Sequence, residues 1–232
     1  MFLRSTAVFA LTLVTSALGC SSAVRQPPGT PPTPTSVTLE NPGGDADDPQ
    51  EAALKRQLEM PWRWAMDKDG QVNVPMVDAD NYKRVRYWAI EHFTGFRYGD
   101  EYHVMNVVLV QDIPEGAEMD SRQCMSQAEK WGRPQLKNFE VKLGNPEMHE
   151  SQWRGQPIVV KSLDGYLDFG FERRNFSAAW AAYAAYEDAC LIFGVAVPWG
   201  KHKELAMQVR DRWVKEAVPR IQVRGKTKPH RI

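Results

Sequence analysis

Cysteine is scarce in this chain, net charge is nil, and no apolar run is long enough to cross a bilayer. Lys and Arg number 29, as do Asp and Glu, so there is no excess of positive charge. A broad nucleic-acid surface would be basic, and no nucleic-acid partner is expected. The three cysteines are Cys20, Cys124 and Cys190. No Gly-x-Ser-x-Gly elbow, phosphate-binding glycine loop or His-Glu-x-x-His helix occurs in the sequence. The sequence therefore assigns no catalytic residue, no metal and no cofactor. Catalytic groups drawn from scattered positions leave no local signature, so an enzyme stays among the readings.

What is present begins at the amino end. Met1, Phe2, Leu3 and Arg4 precede a largely apolar segment from Ala7 to Leu18. One positive charge, a short apolar region and small residues at a cut site are the layout of an export signal. A spanning helix needs about 20 apolar residues, and Thr6, Thr12, Thr15 and Ser16 dilute this stretch. The run Ala17-Leu18-Gly19-Cys20-Ser21-Ser22 resembles the lipobox of bacterial lipoproteins. That resemblance implies that residues 1–19 are a cleaved signal and that Cys20 carries acyl chains, palmitate among them. An ordinary secretory signal with an incidental cysteine is the rival reading. The same resemblance implies, from Ser21 where an aspartate would direct retention, the outer membrane of a diderm bacterium, with the body facing periplasm or surface. Each buried methylene contributes about 0.8 kcal/mol, and two chains anchor stably. The lipid bilayer is thus an expected partner, reached through Cys20.

Residues 20–60 read as the lipidated cysteine plus a linker. Pro27, Pro28, Pro31, Pro32 and Pro34 remove backbone donors and favour extended polyproline geometry. Asn41 to Asp48 adds glycine, proline and acids with almost nothing to bury. About thirty such residues reach roughly 30 Å as flexible coil and roughly 90 Å as stiff polyproline. Asp48 to Met60 closes the linker as a short helix through Ala52, Ala53, Leu54 and Leu58. Charge is unevenly placed. Glu40, Asp45, Asp47, Asp48 and Glu51 crowd the linker, whereas residues 222–232 form a basic tail with Arg224, Lys226, Lys228 and Arg231. That tail is either solvated or in contact with anionic lipid.

Between them lies one globular domain, residues 61–221. Eight tryptophans suit a well-filled core. Tyr82 to Tyr98 predicts one strand, and Glu101 to Asp112 returns as its partner across the Gly99-Asp100 turn. Asp120 caps a helix over Ser121 to Trp131, stopped by Gly132 and Pro134. Phe139, Val141 and Leu143 alternate with polar residues as a half-buried strand. Asp164-Gly165 predicts the turn of a hairpin. Ser177 either caps an alanine-rich helix or opens an edge strand. Ala189 to Val197 predicts a central strand buried on both faces. A last helix from His202 to Val218 carries the stripe Leu205, Val209, Trp213, Ala217 and Ile221. An antiparallel sheet with helices on it makes the expected class α+β. From about 82 to 220 the order of elements resembles the PsbP-like sandwich, which implies a curved antiparallel sheet between helices and no particular activity.

Few residues offer chemistry. In an oxidising compartment Cys124 and Cys190 invite a bridge contributing about 4 kcal/mol, or else are two buried small hydrophobes. Asp67-Lys68-Asp69-Gly70 with Asn73 begins like a calcium loop, but Asp78 stands where a bidentate glutamate is needed; a polar turn is simpler. His92 and His103, with Glu91, lie on facing arms of the first hairpin and could hold a metal, although exposed or hydrogen-bonded histidines account for them. Asp168 and Glu172 share the polar side of a strand, where solvation explains both. Trp62, Trp64, Trp88 and Trp153 either line a sugar or peptide groove or fill the core. The favoured reading is a lipid-anchored, non-catalytic binding or scaffold module with an envelope protein as partner. An envelope hydrolase with a scattered site and a small-ligand or metal carrier are its alternatives.

Overall fold

Pro49 occupies the first turn of a helix, where its missing amide costs nothing, and the Asp48 carboxylate accepts the Gln50 amide at 3.0 Å. The resulting helix α1 (Pro49–Glu59) buries Ala53, Leu54 and Gln57. The structure is a computed structural model that describes residues 48–66, 72–85, 93–99, 103–112, 120–132, 140–168, 173–186 and 189–223. In it α1 belongs to the folded body. Gln50 Nε2 donates to the Pro198 carbonyl at 3.0 Å, and Arg212 Nη1 donates to the Gln57 carbonyl at 2.6 Å. Sequence pattern started the domain at residue 61, yet Leu54 has no solvent exposure at all.

Strands β1 (Trp62–Met66) and β2 (Val72–Val77) pair antiparallel, Trp62 opposite Val77. The large sheet comprises β3 (Tyr82–Val85), β4 (Phe93–Tyr98), β5 (Val104–Asp112), β6 (Glu140–Leu143), β7 (Glu147–Trp153), β8 (Gln156–Asp168), β9 (Arg173–Tyr186) and β10 (Ala189–Trp199). Its order is β3-β4-β5-β10-β9-β8-β6, and β7 also pairs with β8. Helix α2 (Ser121–Gly132) comes between β5 and β6 in sequence. Helix α3 (Lys203–Arg212) follows β10 and continues through a π turn, Trp213–Ala217, and a 3-10 turn around Pro219. Strand β11 (Gln222–Val223) then joins β2, giving a small sheet in the order β1-β2-β11. All described pairings are antiparallel, and with the three helices the fold is α+β. The described part of the body includes buried Val223, beyond the expected boundary at 221.

Alternation along the strands fixes the layers. Tyr183, Phe193 and Val195 share the face under α3: the Phe193 ring lies 4.7 Å from Trp213, and the Tyr183 hydroxyl donates to the Val218 carbonyl. Cys190 points the opposite way and is joined to Cys124 of α2. Of the α3 stripe, Val209, Trp213, Ala217 and Ile221 are all buried.

Three elements differ from the sequence pattern. Tyr82 to Tyr98 is two strands, not one: β3 folds back on β4, Tyr82 opposite Tyr98. Seventeen residues would extend to about 56 Å at 3.3 Å each, longer than an ordinary strand, whereas folding back brings the two tyrosine rings to 5.1 Å. Asp164-Gly165 lies inside β8, and the chain reverses instead at Arg154-Gly155, with φ of 53° and 75°. Asp164 is where β8 changes neighbour from β7 to β6, and its carbonyl accepts the Gly144 amide at 2.7 Å. The alanine-rich stretch after Ser177 is interior strand β9, with Ala178, Ala179, Ala181 and Ala182 all fully enclosed. Burial on both faces overrides alanine's helix preference.

Candidate functional site

A cleft of about 320 Å³ opens between α1, the 3-10 turn Ala79–Asn81 and the β4–β5 corner. Pro49, Ala52 and Ala53 of α1 form one wall, and Arg56, one turn further on, stands at its end. Lys83 of β3 and His103, just before β5, enter from other elements. Gly99 turns the corner at φ 69°, and a Cβ there would meet His103 Cδ2 at 3.1 Å, so the imidazole rests against the bare glycine. Asp78 opens the 3-10 turn at φ 52°, a left-handed shape that aspartate tolerates.

Behind the cleft most of the polar groups pair with one another, although the buried Asn106 Oδ1 has no hydrogen-bond partner among the described residues. The Asp78 carboxylate accepts the Tyr98 hydroxyl at 2.6 Å and the Asn81 amide at 2.7 Å. The Tyr98 hydrogen bond, helped by the charge of Arg56, holds Asp78 below the usual carboxylate range. Burial first, and then the Asp78 carboxylate, push the Tyr98 phenol up to about 12. Deeper in, the Tyr82 hydroxyl donates to Gln57 Oε1 at 3.1 Å and accepts from Asn106 Nδ2 at 3.0 Å. Burial pushes that phenol well up too. Asp80, on the rim, is held by Arg63 at 3.0 Å. These groups act as fixed charges and hydrogen-bonding dipoles.

The structure separates most residues singled out from sequence. Cys20, His92, Glu91, Trp88, Glu172 and the segment 67–70 lie outside the described residues. Cys124 and Cys190 form a buried disulfide with a Cα separation of 5.5 Å. Trp153 is core, its indole donating to the Ile221 carbonyl, while Trp64 is 49% exposed. Trp62 is half-buried, donating to Glu216 at 2.7 Å beneath the Arg212 guanidinium. Asp168 sits opposite Arg173 on β9. His202 Nε2 lies 2.9 Å from the Asp48 carboxylate. Among the described residues no group of three or more His, Cys, Asp or Glu is placed to hold a metal ion. No helix among them is long and apolar enough to cross a membrane.

Sequence reading missed two contacts. Arg210 of α3, 5% exposed, donates to Asp164 and to Ser177, and Ser177 donates to Asp164 as well. His149 and Ser162, neighbours on β7 and β8, lie 2.7 Å apart. Each joins residues more than ten apart in sequence, and only strand pairing brings them together. Arg56 and Tyr98 went unnoticed for the same reason.

No family model matches the chain, and no curated protein sequence matches it. Solved structures do. The Ran-binding protein Mog1p of Saccharomyces cerevisiae, and a Mog1 carrying a point substitution, superpose with a TM-score of 0.50 at 9% identity, over 71% of this chain and 96% of theirs. The cyanobacterial PsbP protein of Synechocystis aligns with a TM-score of 0.42 at 12% identity, over 70% of this chain and 92% of that one. At such identity the likeness to Mog1 is one of fold alone.

Proposed function

We propose that the chain is a lipid-anchored protein of the bacterial outer membrane, whose body is a non-catalytic binding module for a protein of the cell envelope. The state of the cleft carries the binding half of this reading. General acid–base catalysis needs a group titrating near the working pH. Asp78 is held below the usual carboxylate range and Tyr98 stays protonated to about 12, so neither of these two is poised for it; the His103 imidazole, packed on Gly99, completes the lining. Recognition needs what such groups supply, a constant field and fixed donors. The anchoring half rests on Gly19-Cys20 at the end of the apolar leader, with the proline-rich linker behind it.

A hydrolase draws some support from the contact of His149 with Ser162. Ser162 has no solvent exposure, however, so an acyl substrate cannot reach its hydroxyl. The contact satisfies a buried polar side chain.

Cys20→Ala tests the anchor. The parent protein is expected to sediment with membranes and to need detergent for release. The variant is expected in the soluble fraction, with its circular dichroism unchanged. If it still sediments with membranes and resists salt washing, lipid at Cys20 is not the anchor.

A further inference from the structure

We propose that residues 224–232 close the open edge of β7 as an antiparallel strap, which withholds that edge from other chains. The inference rests on neither the anchor nor the cleft. Strand β7 ends at the two-residue turn Arg154-Gly155, so Trp153 and Gln156 exchange both backbone bonds, and the ladder alternates from there. Glu147, His149, Ser151 and Trp153 spend their amides and carbonyls on β8. Met148, Glu150 and Gln152 point theirs the other way. Two neighbours agree with that phase. Pro157, opposite Gln152, has no amide to give, and the Val159 amide, opposite Glu150, donates to Ser121 Oγ at 2.9 Å. Among the described residues β7 pairs with β8 alone. All three outward residues are exposed, Met148 at 59%. An edge of this kind invites another chain, and proteins cover or charge it.

Exit point, reach and charge favour the chain's own end as the cover. Arg154 Nη2 donates to the Val223 carbonyl at 2.9 Å and the Trp153 indole to the Ile221 carbonyl at 2.7 Å, so the chain leaves the body at the turn end of β7. Running on from there towards Glu147, residues 224–232 would lie antiparallel to β7. These nine residues reach about 30 Å when extended, against about 23 Å for the seven of β7. They hold Arg224, Lys226, Lys228 and Arg231 and no acid. Glu147 and Glu150 are exposed, and no cation among the described residues engages them. Lys161 of β8, on the same face as Glu150, already has a partner. Arg224, Lys226 and Lys228 recur at every second position and so share one face of an extended chain. With Lys226 or Lys228 opposite Glu150, Pro229 falls opposite Glu147 or His149. Those two bond to β8, so the missing proline amide costs no ladder bond. A second copy fits less well, because two β7 edges paired along their full length set Glu150 opposite Glu150.

Amide hydrogen exchange followed by nuclear magnetic resonance tests this on the full chain in an uncharged detergent, at physiological ionic strength. The amides of Met148, Glu150 and Gln152 are expected to be protected. In the full-length Lys226→Glu/Lys228→Glu variant they should exchange about tenfold faster. Glu150→Lys should release Met148 and Gln152 by a similar factor, and combining it with the two tail reversals should restore protection. The amides of His149 and Ser151, bonded to β8, report that the hairpin stays folded and should not change. The tail variant touches no described residue, so it decides even where Glu150→Lys disturbs the hairpin. Free exchange of the three outward amides in the parent would overturn the assignment. So would protection that survives the tail reversals, or that rises with protein concentration, the mark of a second copy.

Discussion

Asp78 lies at φ 52°, a backbone shape that asparagine shares, so Asp78→Asn removes a charge without disturbing the turn. Its folded carboxyl titrates below the usual 3.8 because the Tyr98 hydroxyl donates to the ionised form. The unfolded chain therefore binds the proton first as pH falls. This group's contribution is complete above the unfolded value and is lost as pH drops towards the folded one. The parent's urea midpoint is expected to fall from about pH 5 downwards. That of Asp78→Asn should be lower at pH 7 and decline less steeply with acid. Parallel pH profiles for the two proteins would show that Asp78 is not held ionised by the fold. Sequence gave no hint of this pairing. Asp78 was legible only as the imperfect last position of a calcium-like loop, because its partner lies twenty residues further on, and Arg56 sat in what read as linker.

Element identity was more legible, and where it failed the cause is tertiary. Strand β10 announces itself by an unbroken apolar run, and α3 by a stripe at four-residue spacing, since burial imprints those periods directly. Strand β9 does not, because alanine carries a helix preference that only cover on both faces overturns. Asp164-Gly165 reads as a turn, yet Ser177 and Arg210 engage the Asp164 carboxylate and keep the chain extended. The disulfide is the covalent tie between two elements, α2 and β10, across a separation of 66 residues. Closing a loop of that size contributes about 4 kcal/mol in the chain-entropy model. Replacing both cysteines with alanine is expected to lower unfolding free energy by about that amount in urea titration. Reductant should match it for the parent and leave the variant unchanged. A loss below about 1 kcal/mol would mean that the sheet and α2 already hold each other without the bond.

For the whole molecule, the place where the folded body begins decides how the proposed anchor at Cys20 would act on the fold. Composition alone places α1 with the acidic linker, and the structure places it in the core. Burying Leu54 contributes about 2 kcal/mol, and the bonds from Arg212 to the Gln57 and Met60 carbonyls and from Tyr82 to Gln57 about 1 kcal/mol each. The sum is several kcal/mol, a large fraction of the roughly 5–15 kcal/mol by which domains are stable. A chain beginning at residue 48 is therefore expected to unfold in urea at the midpoint of the detergent-free Cys20→Ala protein. One beginning at residue 61 should unfold at a clearly lower midpoint, with a weaker near-ultraviolet dichroism signal from Tyr82, Tyr98 and their neighbours. Equal midpoints would mean that α1 rides on the surface without stabilising it. If α1 is integral, the folded body includes Asp48, whose carboxylate also meets Lys201 at 3.1 Å and His202 at 2.9 Å. A pull through the lipid anchor proposed at Cys20 would then reach the start of α3 directly, beside the cleft along α1.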